Sequence, residues 1–199
     1  MQNNKITLVT PKGEALYPCL KRTEQFQGTD TGKYTVQLKM SKADTDKMIE
    51  RLEQVWEQIS NQGEMATKRF AKNSMPKLGY RETDNGDIIF KFKTNAIIKT
   101  KSGDVLEKTV PIFDAKKNEI QEDIGMGSIV KVAADIAPYY VASNNYGLAL
   151  YLKGVQVIDY KAPSTSGSAE SMGFEEEEGF TEVGNDVVDN PFLPEGAEF

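Results

Sequence analysis

The chain has 199 residues, and its net charge of −6 hides an uneven distribution: residues 1–163 carry 24 bases and 20 acids, whereas residues 164–199 carry 10 acids and no base. The absence of histidine excludes sites built on an imidazole base or an imidazole zinc ligand. The chain has a single cysteine, Cys19, which excludes an internal disulfide. Cys19 is best explained as a small buried hydrophobe. No basic and apolar leader opens the chain and no apolar run reaches the roughly 18 residues of a membrane-spanning helix, so we expect a protein of a reducing compartment.

The first 61 residues predict β-strands followed by one helix. Strands are expected at Lys5–Val9, Ala15–Leu20 and Lys33–Met40, the last because polar and apolar residues alternate along it. Ser41 suits the N-cap of a helix over residues 42–61. Apolar residues recur along that helix at three- and four-residue steps: Met48, Leu52, Val55, Trp56 and Ile59. Trp56 lies in the middle of this stripe, so packing explains it without a ligand.

The remainder of the body predicts further antiparallel strands. Residues 64–86 are ambiguous, with a short helix expected at 65–72 and then a loop. Alternating segments after them predict strands at Ile88–Lys93, Ala96–Lys101, Val105–Phe113, Ser128–Val141 and Tyr146–Tyr160. Phe90 and Phe92 share a face away from the neighbouring lysines and are predicted core residues. Five or more antiparallel strands with an inserted helix predict a mainly β fold of the OB-barrel type, although a β-sandwich fits the pattern nearly as well.

Basic and aromatic residues are interleaved on the predicted strands. Single-stranded nucleic acid is held by a basic groove and by aromatic rings on which its bases stack. We therefore predict that five lysines contact phosphates: Lys33, Lys91, Lys93, Lys131 and Lys153. Base stacking is predicted for four tyrosines: Tyr139, Tyr140, Tyr146 and Tyr151. Tyrosine also tolerates half-exposed strand positions, which explains these rings equally well without DNA.

The acidic end of the chain has the composition of an interaction tail. We expect a folded domain over residues 1–161 and a flexible linker with an acidic tail over residues 162–199. A solubilising tail is the simpler interpretation, but isolated phenylalanines among the acids, with Phe199 as the last residue, favour docking to a partner. Partner binding is assigned to nine residues: Glu175, Glu176, Glu177, Glu178, Asp186, Asp189, Phe192, Glu198 and Phe199.

Several segments together resemble the single-stranded DNA-binding proteins of phages of the T7 type. These segments are Gly32–Val36, Ser41–Asp44, Gly127–Val132, Pro138–Tyr140, Tyr146–Gln156 and the tail from Asp189 to Phe199. The resemblance implies an OB fold and sequence-independent binding of single-stranded DNA in phage DNA replication, recombination and repair. It also implies a homodimer in the cytoplasm of the infected bacterial host. The tail would recruit the phage DNA polymerase and helicase-primase and would compete with DNA for the basic groove.

Two other functional classes remain open from the residues alone. Phosphate-binding loops and nucleophile elbows are absent from the sequence, so we predict no enzymatic activity and no cofactor. A scaffold protein whose acidic tail binds basic partners is one alternative. The less favoured alternative is a metal-dependent nuclease or recombination enzyme that uses clustered carboxylates such as Asp84 or Asp87, although turn chemistry explains these positions more simply.

Overall fold

The fold is taken from a computed structural model, in which residues 6–100 and 102–163 are described. The tail with its nine assigned residues lies outside the described residues, as do Lys5 and Lys101. The strands, in chain order, are β1 (Ile6–Val9), β2 (Gly13–Cys19), β3 (Gln25–Phe26), β4 (Thr29–Asp30), β5 (Lys33–Met40), β6 (Tyr80–Glu82), β7 (Ile88–Asn95), β8 (Ile97–Lys99), β9 (Val105–Glu107), β10 (Ile112–Phe113), β11 (Glu119–Ile120), β12 (Ile129–Ala142) and β13 (Asn145–Asp159). One α-helix, α1 (Lys42–Ser60), lies between β5 and β6.

Five of these strands close a barrel. Around the barrel the order is β2, β5, β7, β13 and β12, and β12 returns to β2 through the pairs of Ile129 with Glu14 and Val130 with Gly13. Every neighbouring pair is antiparallel except β7 and β13, which meet in parallel at Lys93 and Tyr151. This closed order confirms the predicted OB-type barrel, since a sandwich would leave two separate sheets.

Alternation along the strands places apolar side chains inside the barrel. Val36 and Leu38 of β5 and Phe90 and Phe92 of β7 are completely buried, as the sequence predicted for these faces. A buried phenylalanine contributes about 3–5 kcal/mol, the usual loss when it is truncated to alanine. Because Phe90 and Phe92 are buried, the lysines that alternate with them along β7 are held on its outer face.

Helix α1 covers the barrel with its apolar stripe. Met48, Leu52 and Val55 are buried in the same core as the strands, and the Ser41 hydroxyl caps the helix by accepting the Asp44 N–H at 3.2 Å. Trp56 packs against the margin of this core, as predicted. No helix among the described residues has the length and apolar character needed to span a membrane.

Several predicted elements differ in the structure. The helix expected at residues 65–72 is a single 3₁₀ turn, Met65–Thr67. The single strand expected at Val105–Phe113 is divided into β9 and β10, because Pro111 has no N–H to donate to a continuous ladder. Cys19 is half-buried rather than fully buried, and desolvation raises the pKa of its thiol.

Candidate nucleic-acid interface

A groove of about 760 Å³ lies on the outer surface of the barrel, where β7 and β13 diverge from their single contact. Its floor is the segment 77–82, which fills the gap between these two strands. The described residues that line the groove include four cations and no carboxylate: Gln37, Lys77, Gly79, Tyr80, Arg81, Ile89, Lys91, Lys93, Tyr139, Val141, Asn145, Leu148, Ala149, Leu150 and Tyr151. The groove is therefore a positively charged channel with aromatic rings in its walls.

Strand β7 positions two of the predicted lysines along one wall. Lys91 and Lys93 alternate with the buried phenylalanines, so both ammonium groups are on the outer surface. The Lys91 Nζ is 2.6 Å from Glu24 Oε1, and the Lys91 side chain is 43% exposed. Exposed ion pairs contribute only about 0–1 kcal/mol, so a phosphate can displace Glu24 from Lys91 at little cost in folding stability.

Two of the predicted tyrosines occupy the same groove. Tyr151 is 46% exposed and stands directly beside Lys93 in the parallel pairing. Tyr139 is half-buried in the wall, and desolvation raises the pKa of its phenol. Tyr80 also lines the groove, but it pairs with the buried Phe90 and its ring packs on that residue at a centroid distance of 5.6 Å, so the ring belongs to the margin of the core and is not a stacking face. Tyrosine rings beside ammonium groups provide both components of a single-strand site, a stacking face and a phosphate contact.

The floor segment is tied to both walls by backbone hydrogen bonds. The Lys77 N–H donates to Tyr146 O at 2.9 Å, and the Leu148 N–H donates to Lys77 O at 2.8 Å. On the opposite side, the Lys91 N–H donates to Gly79 O at 3.0 Å. This segment belongs to residues 64–86, whose secondary structure was ambiguous from the sequence. The ambiguity arises because the short pieces of this stretch pair with strands far away in the chain and show no periodicity of their own. Lys77 and Arg81 were therefore not predicted as site residues.

Gly147 provides a test of this attachment. A Cβ at this position would collide with the backbone carbonyl oxygen of Lys77 and approach its backbone nitrogen to 2.6 Å. We expect Gly147→Ala to lower the free energy of unfolding by about 1–3 kcal/mol, the usual range for overpacking, and to weaken binding in the groove by displacing its floor. Urea denaturation and oligo-dT titration measure the two effects.

The matched control is Gly103→Ala in the β8–β9 turn. Gly103 also has a positive φ, +94°, but a Cβ there meets no atom within 4 Å. We expect a smaller loss of stability from backbone strain and unchanged affinity for oligo-dT. Equal losses of affinity in the two variants would contradict a specific role for the contact between Gly147 and Lys77.

Two predicted tyrosines belong to a packed aromatic cluster instead of the groove. Tyr146 is 4% exposed, its ring lies 4.4 Å from Phe70 and 5.6 Å from Trp56, and its hydroxyl donates to Ser74 O at 2.8 Å. The stacking role predicted for Tyr146 is therefore corrected to a packing role, because no ring face is open to a base. Tyr140 lies half-buried at the edge of the cluster, and its hydroxyl donates to the backbone of the segment that carries Phe70.

The other predicted lysines lie outside the groove lining. Lys33 shares the outer face of the sheet with the groove lysines but pairs with Asn95, beyond the end of the groove. Lys153 is exposed, with its Nζ 3.3 Å from Asp135 Oδ1. Lys131 lines a separate depression of about 340 Å³. It lies on β12, the strand that carries Asp135, but four residues before that carboxylate. At the strand rise of about 3.3 Å per residue, that separation is about 13 Å.

The carboxylates considered for a nuclease do not come together. The Asp87 carboxylate is 2.6 Å from Lys39 Nζ, whereas Asp84 lies in the exposed turn between β6 and β7. Within residues 6–100 and 102–163, no three side chains of metal-binding type converge. In the described part of the chain, both positions are thus explained by an ion pair and a turn.

Comparison with known proteins gives a consistent family match. The family model described as "Single-stranded DNA-binding protein, Bacteriophage T7" matches residues 15–160, which include all five barrel strands apart from the first two residues of β2. No curated protein sequence matches the chain significantly.

Solved structures of two phage proteins share the fold. The gp2.5 single-stranded DNA-binding protein encoded by bacteriophage T7 superposes with a TM-score of 0.61 and 19% identity, covering 89% of this chain and 98% of that one. The single-stranded DNA-binding protein of bacteriophage Enc34 superposes with a TM-score of 0.56 and 12% identity, covering 84% of this chain and 89% of that one. The Enc34 protein has also been solved in complex with single-stranded DNA, a structure that superposes with a TM-score of 0.55 and 12% identity, covering 80% of this chain and 89% of that one. At these identities the structural similarity supports the fold.

Proposed function

Because this chain belongs to the T7-type family of single-stranded DNA-binding proteins, we propose that it binds single-stranded DNA without sequence preference and protects it during phage DNA replication, recombination and repair. The observation that carries the proposal is the groove between β7 and β13, where four cations and the rings of Tyr139 and Tyr151 stand together and no carboxylate is among the described lining residues. The protein is proposed to act by binding, without catalysis or a cofactor, in the cytoplasm of the infected bacterial host.

The groove chemistry accounts for binding that is independent of sequence. Lys77, Arg81, Lys91 and Lys93 neutralise phosphates, which carry no sequence information. Tyr139 and Tyr151 present ring faces, and every base has a face that stacks on them. A minor contribution is proposed for Lys33 and Lys153, which lie on the outer surface beyond the groove lining.

Further proposals concern the remaining expectations from the sequence. We place Lys131 and Tyr140 at the periphery of the DNA path, because neither lines the groove. The division into a binding domain at residues 1–161 and a linker with acidic tail at 162–199 is retained as a proposal. So is a homodimer.

The acidic tail is proposed to have two roles. Its ten negative charges on a tether form an intramolecular competitor for the cationic groove at high effective concentration. Its isolated apolar residues, among them Phe192 and Phe199, are proposed to dock on the phage DNA polymerase and helicase-primase. DNA in the groove would then release the tail for these partners.

The proposed function is tested by titrating oligo-dT at increasing salt with the full chain and with a chain that ends at Pro163. We expect the full chain to prefer single strands over duplex, with an affinity that falls as salt rises. Removing the tail is expected to tighten binding about tenfold at 0.05 M salt, and the gain should vanish as salt screens the ten charges.

The control keeps the tail but replaces Glu175, Glu176, Glu177 and Glu178 by glutamine, which removes four charges at unchanged length. An intermediate gain is expected for this variant. Absence of binding by both the full and the shortened chain would overturn the proposed function and favour a protein-interaction scaffold. A gain that persists at high salt would contradict the electrostatic competition.

A further inference from the structure

Tyr17 has a backbone conformation that is rare for its residue type. Its φ is +48°, in the left-handed region that glycine adopts freely and in which a Cβ is crowded by the backbone. The next residue is Pro18, and a proline further restricts the residue before it towards extended conformations. The backbone of Tyr17 is therefore strained for two independent reasons.

The strain belongs to a β-bulge that changes the direction of the Tyr17 side chain. Leu16 pairs with Gln37 and Cys19 pairs with Thr35, so two residues of β2 face one residue of β5. Gly13 and Ala15 are buried, and regular alternation would direct Tyr17 into the barrel as well. Instead, the side chain of Tyr17 is 62% exposed.

Packing does not explain this arrangement. A bulge normally accommodates a positive φ with glycine, and an exposed ring gains little burial to offset the strain. Strained backbone at an exposed position is characteristic of sites where the side chain has a binding role. The chain thus maintains an unfavourable conformation at the one place in β2 where it presents an aromatic ring to solvent.

The bulge that carries the exposed ring follows directly on a residue beside the groove. Leu16, the residue before Tyr17, pairs with Gln37, which lines the groove and in turn pairs with Lys91. Strands are about 4.8 Å apart, so β2 lies about 10 Å from the cations of β7. Exposed Lys21 and Arg22 follow closely in the chain, and after them comes Glu24, the carboxylate that pairs with the groove cation Lys91.

We propose that Tyr17 stacks on a base of the bound single strand and extends the binding surface from the groove across β5 onto β2. The proposal rests on the proposed function, because it adds one base-binding position to that site. The ligand is the same polymer, and the bound strand passes from Tyr139 and Tyr151, across Gln37, to Tyr17.

The test compares Tyr17→Gly with Tyr17→Phe in the full chain, using a dT oligomer of about 16 nucleotides, the upper end of the range bound by one OB fold. Glycine relieves the strained φ, so Tyr17→Gly is expected to unfold at the same or a higher urea concentration than the unmodified chain. Its affinity for the oligomer is expected to fall about 5- to 150-fold, the loss of one base stack. Tyr17→Phe keeps the ring and is expected to bind within about twofold of the unmodified chain.

Tyr160→Ala is the matched control. Tyr160 is also exposed, at 46%, but it lines a different depression together with Ile120 and Val157. We expect its replacement to leave the affinity for oligo-dT unchanged, which separates the loss of Tyr17 from the loss of any surface ring.

The outcomes distinguish this inference from the proposed function. If the unmodified chain binds oligo-dT but Tyr17→Gly binds equally well, the stacking role is overturned and the proposed function stands. Equal losses in Tyr17→Gly and Tyr17→Phe would also overturn it, because the hydroxyl and not the ring would be responsible. Failure of the unmodified chain to bind any single strand would overturn both.

Discussion

Replacing Lys77, Arg81, Lys91 and Lys93 together by glutamine is expected to weaken oligo-dT binding by about 4,000- to 8,000-fold at 0.05 M salt. Each phosphate contact on a single strand contributes about −0.7 to the slope of log K against log salt, so four contacts contribute about −3. When the affinity is followed from a reference of 1 M salt down to 0.05 M salt, a slope of about −3 corresponds to the expected loss of affinity. Fluorescence anisotropy over a salt series measures the affinity and the slope together.

The matched control replaces four exposed lysines that do not line the groove: Lys12, Lys42, Lys47 and Lys116. Both variants lose the same net charge, so long-range attraction falls equally in the two proteins. We expect the control to keep most of the slope and to bind much more tightly than the groove variant. Similar losses in both proteins would mean that net charge, and not the placement of these four cations, governs binding.

Replacing Tyr139 and Tyr151 together by alanine is expected to weaken binding by about 30-fold or more. Base stacking on an aromatic ring contributes about 1–3 kcal/mol per base, and two such contacts are removed. Because no charge changes, the slope of log K against log salt should be the same as in the unmodified chain. Parallel salt series for the two proteins measure both quantities.

The conservative variant with both tyrosines replaced by phenylalanine keeps the rings and removes the hydroxyls. We expect it to bind nearly as tightly as the unmodified chain. A loss below about threefold in the alanine variant would contradict stacking in the groove. A changed salt slope would show that the tyrosines act by positioning Lys93, which stands beside Tyr151 in the parallel pair.

These two results would divide the binding free energy into a salt-dependent and a salt-independent part. The net charge of residues 1–163 is only +4, which is small for a nucleic-acid-binding domain. The structure explains how a small excess of charge can suffice, because four cations line one groove that contains no described carboxylate. The ion pair of Lys91 with Glu24 then holds one of these cations in place until a phosphate replaces the glutamate.

Local sequence patterns determined the elements of this fold wherever one periodicity ran uninterrupted. Strand β5 begins and ends at the predicted residues, because polar and apolar residues alternate through it without a break. Helix α1 begins after its predicted cap for the same reason, since its apolar residues form one stripe. Alternation also correctly placed Phe90 inside the barrel and Lys91 outside it, because successive side chains of a strand point to opposite faces.

The position of each outward residue on the barrel was decided only by the tertiary structure. Alternation gives the face of a strand but not its neighbours, so Lys93 and Tyr151 meet only because β7 pairs with β13. Alternation also does not distinguish Tyr146 from the tyrosines of the groove, although the aromatic cluster buries Tyr146. The bulge that turns Tyr17 outward depends on the two-to-one register between β2 and β5. Register and closure depend on hydrogen bonds between segments far apart in the chain, which no local pattern records.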